Sequence, residues 1–439
     1  MSLEISAGKP RPIVTALVVL AIAAIIFFSI SRIGYFWVML APNLVLLLVT
    51  LVMLFAFFEK KPEKKMAPKD YPRLTVILPV HNAQETIEKA IEHVRNSDYP
   101  NKIEVIAVDD ASTDSSPQIL AKLKAVKVLT MKKNVGKAAA LNAGAKLAKG
   151  EIIAFVDADS YVENAAFKHA VEAILEDDEV GAATCFIRVV DANKSILRKV
   201  QEIEYYTGFG FAALASHLLD AIFVTPGPTT VFRKTAFEKI KGFDEHNITE
   251  DLEMAWRLRR HGFRIAYSPE SIVYTEVPDT IKALYRQRLR WYRGKLFNVR
   301  KYSDMLFNKK YGNFGLFMLP GSFSAEFAGI VLSFSFVYLL FRQAAWLASY
   351  LASSLAVGTL SLDLSGFALV GTSAIAMGAV IVIPWIFALY LSYGMAGRKF
   401  GLRQVPQLLL FLFFYGTVVS FFYCASFIKE VNRSDYKWK

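Results

Sequence analysis

The sequence predicts an α/β domain, built on a mostly parallel sheet and inserted between transmembrane helices. Three observations predict it. The chain has 439 residues, of which 54% are hydrophobic, and a mean hydropathy of +0.34. That is too apolar for an ordinary soluble protein. The apolar residues gather at the two ends, and the middle alternates β-branched runs with helical patterns.

The N-terminal part, 1–65, reads as a transmembrane hairpin. Residues 13–31 and 36–58 carry no charge, and each matches the ~20 residues that cross a bilayer as a helix. Arg32, Ile33, Gly34 and Tyr35 are the turn between them. The first run is too long for the core of a signal peptide and a second span follows at once. Lys9 and Arg11 precede the hairpin and EKKPEKK follows it. Positive flanks mark the cytoplasmic side, so the polar middle, 66–310, is expected in the cytosol.

That middle opens on LTVILPV (74–80), a buried strand by length and β-branching, and a helix over 84–96. IEVIAVDD (103–110) and VKVLT (126–130) are the next strands. GKAAALNAGAKLAKG (136–150) is a helix with Ala138, Leu141, Ala145 and Ala148 inward and Gly150 as its stop. EIIAFVDADS (151–160) is the fourth strand. Such alternation builds a parallel sheet covered by helices. Ligands of such sheets bind beyond the carboxyl ends of the strands, where both acidic pairs stand.

Asp157 and Asp159, two apart at a strand end, can point the same way. Two hard carboxylates without His or Cys suit Mg²⁺ or Mn²⁺, with a nucleotide diphosphate as co-ligand. Asp109 and Asp110 can accept from base or ribose donors. Lys137, after Gly136, opens a helix where a cation and free backbone N–H groups can meet phosphate. His81 is placed to stack on the base.

NITEDLEMAWRLRRHG (247–262) reads as a helix with Thr249 as N-cap and Gly262 beyond its end. Glu250 and Asp251 then fall in the first turn, where the helix end favours the ionised form. An ionised carboxylate there suits a general base, although acidic first turns are also ordinary helix composition. DTIKALYRQRLRWYRGKLFNVRKY (279–302) reads as a helix capped by Asp279. Ile281, Tyr285, Leu289, Tyr292, Leu296 and Val299 form its apolar stripe. Gln287, Arg290 and Trp291 make one patch away from that stripe. Trp291 either anchors at a membrane interface or stacks on a sugar. Arg286 and Arg293 flank the patch and can serve lipid phosphates.

The C-terminal part, 311–439, is expected to hold three or four spans. Residues 324–341 and 405–428 are two, and 366–396 holds one with Pro384 as a possible kink. Residues 343–362 read as a weak span or an interfacial helix. The net charge is +12, concentrated beside the spans and at 286–303. Anionic lipid and a phosphorylated substrate are the partners this predicts, rather than nucleic acid. Two distant cysteines, Cys185 and Cys424, suggest no disulfide framework.

VDDAS, DAD, TED and QRLRW, in that order, resemble the motifs of processive membrane-bound family-2 glycosyltransferases, the cellulose, chitin, hyaluronan and poly-N-acetylglucosamine synthases. The resemblance spans residues 72–305 and is strongest to bacterial poly-N-acetylglucosamine synthases, through ITEDLEMAWRL and YRQRLRWYRGK. It implies a GT-A fold and inverting transfer from a UDP-sugar, of UDP-GlcNAc or UDP-Glc type, to a glycan or lipid acceptor. It implies that His81, Asp109, Asp110 and Lys137 contact the nucleotide and that Asp157 and Asp159 hold diphosphate and metal. Asp251, with Glu250 beside it, would be the catalytic base. Gln287 and Arg290 would cover the diphosphate, and Trp291 and Gly227 would face the acceptor. TPGPTTVFR (225–233) departs from the small-residue Ser-Gly-Thr or Ser-Gly-Pro of such synthases, with two prolines flanking Gly227. The implied product is a polysaccharide passed across the plasma membrane, with the catalytic domain cytoplasmic. The small membrane part would call for a partner subunit or a homo-oligomer. The alternative is a non-processive glycolipid synthase.

Overall fold

The computed structural model describes residues 35–59, 70–358 and 372–432. The expected first span, 13–31, lies outside the described residues, as do 60–69 and 359–371. In chain order the elements are α1 (Tyr35–Glu59), β1 (Leu74–Val80), α2 (Ile87–Arg95), β2 (Ile103–Asp109), α3 (Ser116–Lys122), β3 (Lys127–Thr130), α4 (Lys137–Ala145), β4 (Ile152–Val156) and β5 (Ser160–Val162). Next come α5 (Ala166–Leu175), β6 (Val180–Val189), α6 (Ile196–Tyr205), α7 (Ala213–Leu218), β7 (Thr229–Arg233), α8 (Lys234–Lys239), α9 (Glu250–Arg260), β8 (Arg264–Thr275) and α10 (Ile281–Lys301). The chain ends in α11 (Leu319–Ala356), α12 (Thr372–Met395), α13 (Val405–Leu410) and α14 (Gly416–Val431).

One eight-stranded sheet, ordered β3-β2-β1-β4-β7-β6-β8-β5, organises the central domain. β3, β2, β1 and β4 are parallel, as the alternating pattern predicts. β7 runs antiparallel to both β4 and β6, and β5 runs antiparallel to β8, so the sheet is mixed and mostly parallel. Along β1, Val76 and Leu78 enter one core and Ile77 the other. A strand covered on both faces reads as a continuous apolar run, which is why β1 was legible.

The expected fourth strand is two. β4 pairs centrally with β1, whereas β5 pairs with β8 at the far edge, and Asp157 to Asp159 turn the chain between them. The helix expected to run to Gly150 ends at Ala145. Ala138, Leu141, Ala145 and Ala148 are buried as expected. Gly150 serves close approach instead of a stop: a Cβ there would lie 2.6 Å from the Thr75 N.

The chain between β6 and β7, not assigned from sequence, is helical through α6 and α7 with a π-helical turn over Tyr206–Ala212. It packs on α12, where the Phe211 N–H donates to Ser392 Oγ at 3.1 Å and the Tyr206 and Tyr393 rings lie 4.7 Å apart.

Residues 343–356 form neither a separate span nor a separate interfacial helix. They continue α11, whose 38 residues extend ~57 Å at 1.5 Å per residue. The stretch is rich in alanine and lacks glycine and proline, so nothing in it stops a helix. Phe314–Ala356 and Leu402–Val431 are long and apolar enough to cross a membrane, with only 22% of each apolar window buried against protein. Phe341 and Phe414 stand 73% and 60% exposed.

Candidate active site

The strands β1, β2 and β4 end side by side and bring His81, Asp109, Asp110 and Asp157 to one edge. Asp110 is buried, and its carboxylate accepts the Val135 N–H at 2.7 Å and the Gly136 N–H at 2.9 Å. Gly136 has φ +91°, which favours glycine, and it opens α4. Asp110 therefore shapes the loop that delivers Lys137. Of the backbone N–H groups at this helix start, that of Gly136 is already taken by Asp110. Asp109 Oδ1 accepts the Ser112 N–H at 3.1 Å. His81 is exposed beside them, its Nδ1 2.9 Å from the Asp110 carbonyl.

Lys137 Nζ sits 2.5 Å from Asp157 and 3.3 Å from Glu250. Gly227 lies at the centre. A Cβ there would come within 2.9 Å of Lys137 Nζ, 3.0 Å of Asp157 Oδ2 and 3.7 Å of Asp251 Oδ2. A side chain there would have to displace the Lys137 ammonium, whereas glycine lets the Pro-Gly-Pro loop approach the charges with backbone alone. Burial works against the Lys137 charge, but Asp157, Glu250 and Asp251 outweigh it and hold the ammonium above its ordinary value.

Asp159 is exposed. The recess still desolvates it and Asp157 adds like charge, and together they push it up to about 6 against Lys137 and Ser160. Asp251 was expected to be held ionised by the helix end. Its Oδ1 does accept the Leu252 N–H at 2.8 Å. Burial and the adjacent Glu250 charge nevertheless prevail over Lys137, Arg290 and that N–H, and push Asp251 up to about 6. A carboxyl near neutrality is poised to take a proton. Thr225 fixes the turn by donating its hydroxyl to the Asp251 carbonyl at 2.6 Å.

Thr249 begins α9 but makes no side-chain cap. It packs instead on α10, where Asn298 Nδ2 donates to its Oγ1 at 3.1 Å and to Asn247 Oδ1 at 3.3 Å. Gly294 permits the contact, since a Cβ there would stand 2.2 Å from Thr249 Oγ1. Sequence reasoning missed Gly294 and Asn298. A glycine inside a strongly helical pattern, which costs ~1 kcal/mol, was the available signal.

α10 departs most from expectation. Its cap is Thr280, which accepts the Ala283 N–H at 3.2 Å, while Asp279 pairs with Arg198 at 2.5 Å. The buried positions are Leu284, Arg288, Arg293, Gly294, Lys295 and Asn298 rather than the expected apolar stripe. Ile281 is 61% exposed, and Tyr292 stacks on Tyr423, ring centroids 3.4 Å apart. The cause is enclosure: the sheet domain covers one side of α10 and the C-terminal helices the other. Arg288 pairs with Glu204 at 2.5 Å, Arg293 with Glu430 at 2.7 Å, and Lys295 with Glu326. Arg293 is thus buried in an ion pair instead of facing lipid phosphate. Arg286 is exposed. Arg290 acts on Asp251 electrostatically. Trp291, half-buried, packs against the core that includes Val76 and Leu78.

The model of the family described as "Glycosyl transferase family 2" matches residues 75–241. A relative from Bacillus subtilis (strain 168), "Probable glycosyltransferase YdaM", is 30% identical over 317 residues, 70% of this chain and 75% of its own length. This chain belongs to glycosyltransferase family 2. It also resembles the "Poly-beta-1,6-N-acetyl-D-glucosamine synthase" of Staphylococcus aureus (strain COL), 33% identical over 238 residues, 54% of this chain and 57% of that protein. The glycosyltransferase thus spans just over half the length of that synthase. Among solved structures, the fold resembles "Mannosyltransferase PcManGT from Pyrobaculum calidifontis in complex with GDP-Man and Mn2+". The TM-score is 0.51 at 22% identity, over 80% of this chain and 99% of that one.

In this glycosyltransferase, Asp157, Asp159, Glu250 and Asp251 set four carboxylates against Lys137 and Arg290. That excess of negative charge fits a divalent cation. Among the described residues no three acidic, His or Cys side chains form a ready metal cluster. Two carboxylates with substrate phosphates and water completing the shell is the usual Mg²⁺ arrangement. Transfer is expected to vanish in EDTA and to return with Mg²⁺ or Mn²⁺. Electron spin resonance should show Mn²⁺ bound in the presence of UDP and released in Asp159→Asn. Full activity in chelator would defeat this metal site.

Proposed function

We propose that the chain is a plasma-membrane, inverting glycosyltransferase that polymerises sugar from a UDP-sugar and passes the glycan across the bilayer. The observation that carries this reading is the junction at α10. One helix meets the base-bearing turn through Gly294 and Thr249, and meets the apolar helices α11 and α14 through Lys295–Glu326 and Arg293–Glu430. Chemistry and apolar helices are thereby held in one unit. The synthases it resembles are named for poly-N-acetylglucosamine, which supports UDP-GlcNAc as donor.

In this mechanism the acceptor hydroxyl lies against Asp251, which takes its proton as the hydroxyl oxygen bonds to the donor's anomeric carbon. The bond from that carbon to the UDP oxygen breaks on the opposite face, so the configuration inverts. Lys137 and Arg290 meet the negative charge that gathers on the departing diphosphate. A divalent cation held by Asp157 and Asp159 would supply further countercharge there. Asp110 keeps the Gly136 turn and so holds Lys137 in place. Glu250 keeps Lys137 close to Asp157. Trp291 stacks on the acceptor sugar.

The test is reconstitution in proteoliposomes with radiolabelled UDP-GlcNAc and UDP-Glc, with products separated by size and by organic extraction. Polymer is expected, and Trp291→Ala should lose it while still binding UDP. Label confined to the lipid extract, at one or two sugars per chain, would replace the polymerase by a glycolipid synthase. Tolerance of Trp291→Phe together with that product would make Trp291 a membrane anchor.

A further inference from the structure

Arg288 stands between Gln287, which the family resemblance sets over the diphosphate, and Trp291, which the proposed mechanism sets against the acceptor, yet neither reading gives Arg288 a part. It is fully buried. Its Nη1 donates to Gln287 Oε1 at 2.6 Å, and its guanidinium carbon lies 4.0 Å from the Trp291 ring centroid. Its Nη2 donates to Glu204 Oε2 at 2.5 Å and to the Tyr415 hydroxyl at 3.4 Å. Tyr415 closes the circuit by donating to Glu204 Oε2 at 2.6 Å.

We propose that Arg288 is a positioning residue that orients Gln287 and Trp291 together, and is itself anchored by Glu204 and Tyr415. This rests on the reading that Gln287 and Trp291 face diphosphate and acceptor. Three features of the guanidinium suit the task. It is planar, so one face can lie on an indole. Its N–H groups diverge in that plane, so it bonds a neighbour on each side at the same time. It only donates, so Gln287 must present its carbonyl oxygen to it. The consequence is directional. The Gln287 NH₂ becomes the end that faces a ligand, and an acceptor sugar must use the Trp291 face that Arg288 leaves uncovered.

Stability alone explains the arrangement poorly. A buried ion pair is weak evidence of stabilisation, and the Arg288 Nε has no hydrogen-bond partner among the described residues. The anchors come from α6 and from the turn before α14. The orientation of the two motif residues therefore depends on how the C-terminal helices pack.

The experiment compares Arg288→Lys in the full-length wild-type background and in a Gln287→Ala/Trp291→Phe background, in detergent. It reads kcat, the donor KM, the UDP dissociation constant, thermal stability and near-ultraviolet circular dichroism. Lysine keeps the charge toward Glu204 but offers neither the plane nor the fork. In the wild-type background kcat should fall by at least ~10-fold, with donor KM and UDP affinity within ~3-fold. In the double-variant background the same change should cost little more, because the groups it acts through are gone. The dichroism band that Trp291→Phe removes should also weaken in Arg288→Lys.

Equal losses in both backgrounds, or an unchanged Trp291 band, would overturn the proposal. So would a collapse of thermal stability together with UDP binding, which would make Arg288 structural. If the Gln287→Ala/Trp291→Phe protein itself transfers at the wild-type rate, the acceptor reading fails. The Trp291 band still decides, independently of activity, whether Arg288 orients the ring.

Discussion

Asp251→Asn is expected to stop transfer while leaving UDP binding almost intact. Loss of a general base costs ~10²–10⁴ in rate. Asparagine preserves the shape, and its side-chain oxygen can still accept the Leu252 N–H that Asp251 Oδ1 accepts. The site should therefore assemble and fail only at proton removal. The pH profile carries a second signature. Burial and Glu250 raise the Asp251 carboxyl to about 6. A base works only when deprotonated, so kcat/KM should climb as pH rises through about 6 and level off above it. The sign is set by the raised value: an ordinary carboxylate would already be ionised and would show no such limb. The residual activity of Asp251→Asn should lose the Asp251 share of the limb and keep only what Asp159, also raised to about 6, contributes through the metal site. Turnover near wild type in this variant, or an unaltered acid limb, would remove Asp251 from the mechanism.

Gly294→Ala is expected to destabilise the protein and slow transfer, against ordinary helix propensity. In a helix interior alanine is favoured over glycine by ~0.5–1 kcal/mol. Here the added Cβ would meet Thr249 Oγ1 at 2.2 Å, Cγ2 at 2.3 Å and Cβ at 2.8 Å. Thr249 is β-branched, so rotation exchanges one clash for another. Overpacking of this kind costs ~1–3 kcal/mol, which exceeds the gain in propensity. Relief by moving α10 away from Thr249 would also shift Glu250 and Asp251, and a displacement of ~1 Å can cost ~10²-fold in rate. Thermal unfolding should show a lower midpoint and the transfer assay a lower kcat. Thr249→Ala in the same protein removes two of the three clashing atoms and should restore part of the midpoint. A Gly294→Ala protein as stable and as fast as wild type would show that the two helices are not held by this contact.

Local chemistry made much of this protein legible. Leu74–Val80 and Ile103–Asp109 are strands buried on both faces, so their apolar runs are continuous and their ends unmistakable. His81 after the first and Asp109 and Asp110 at the end of the second share one edge, the candidate site, because parallel strands deliver their carboxyl termini to one side. Asp157 was legible for the same reason, and Lys137 and Asp251 because each falls in the first turn of a helix. The split of 151–160 could not be seen, because it depends on β5 pairing with β8 more than a hundred residues later. Nor could the end of α4 at Ala145, since Gly150 answers to the backbone of Thr75.

What the sequence determined by itself was the class of the fold, the apolar ends, the set of charged residues at the strand termini and the family motifs. These follow from periodicity and residue type within short windows. Only the tertiary structure decided how the charges are shared. Asp110, expected from sequence to meet the nucleotide, also holds the Gly136 loop. Arg293 looked like a lipid contact and proves to pair with Glu430, 137 residues away. Arg288, given no role in the sequence reading, lies fully buried between Glu204 and Trp291. The physical reason is common to all three. A charge is worth little in water and a great deal once desolvated, and desolvation depends on which distant segments close over it.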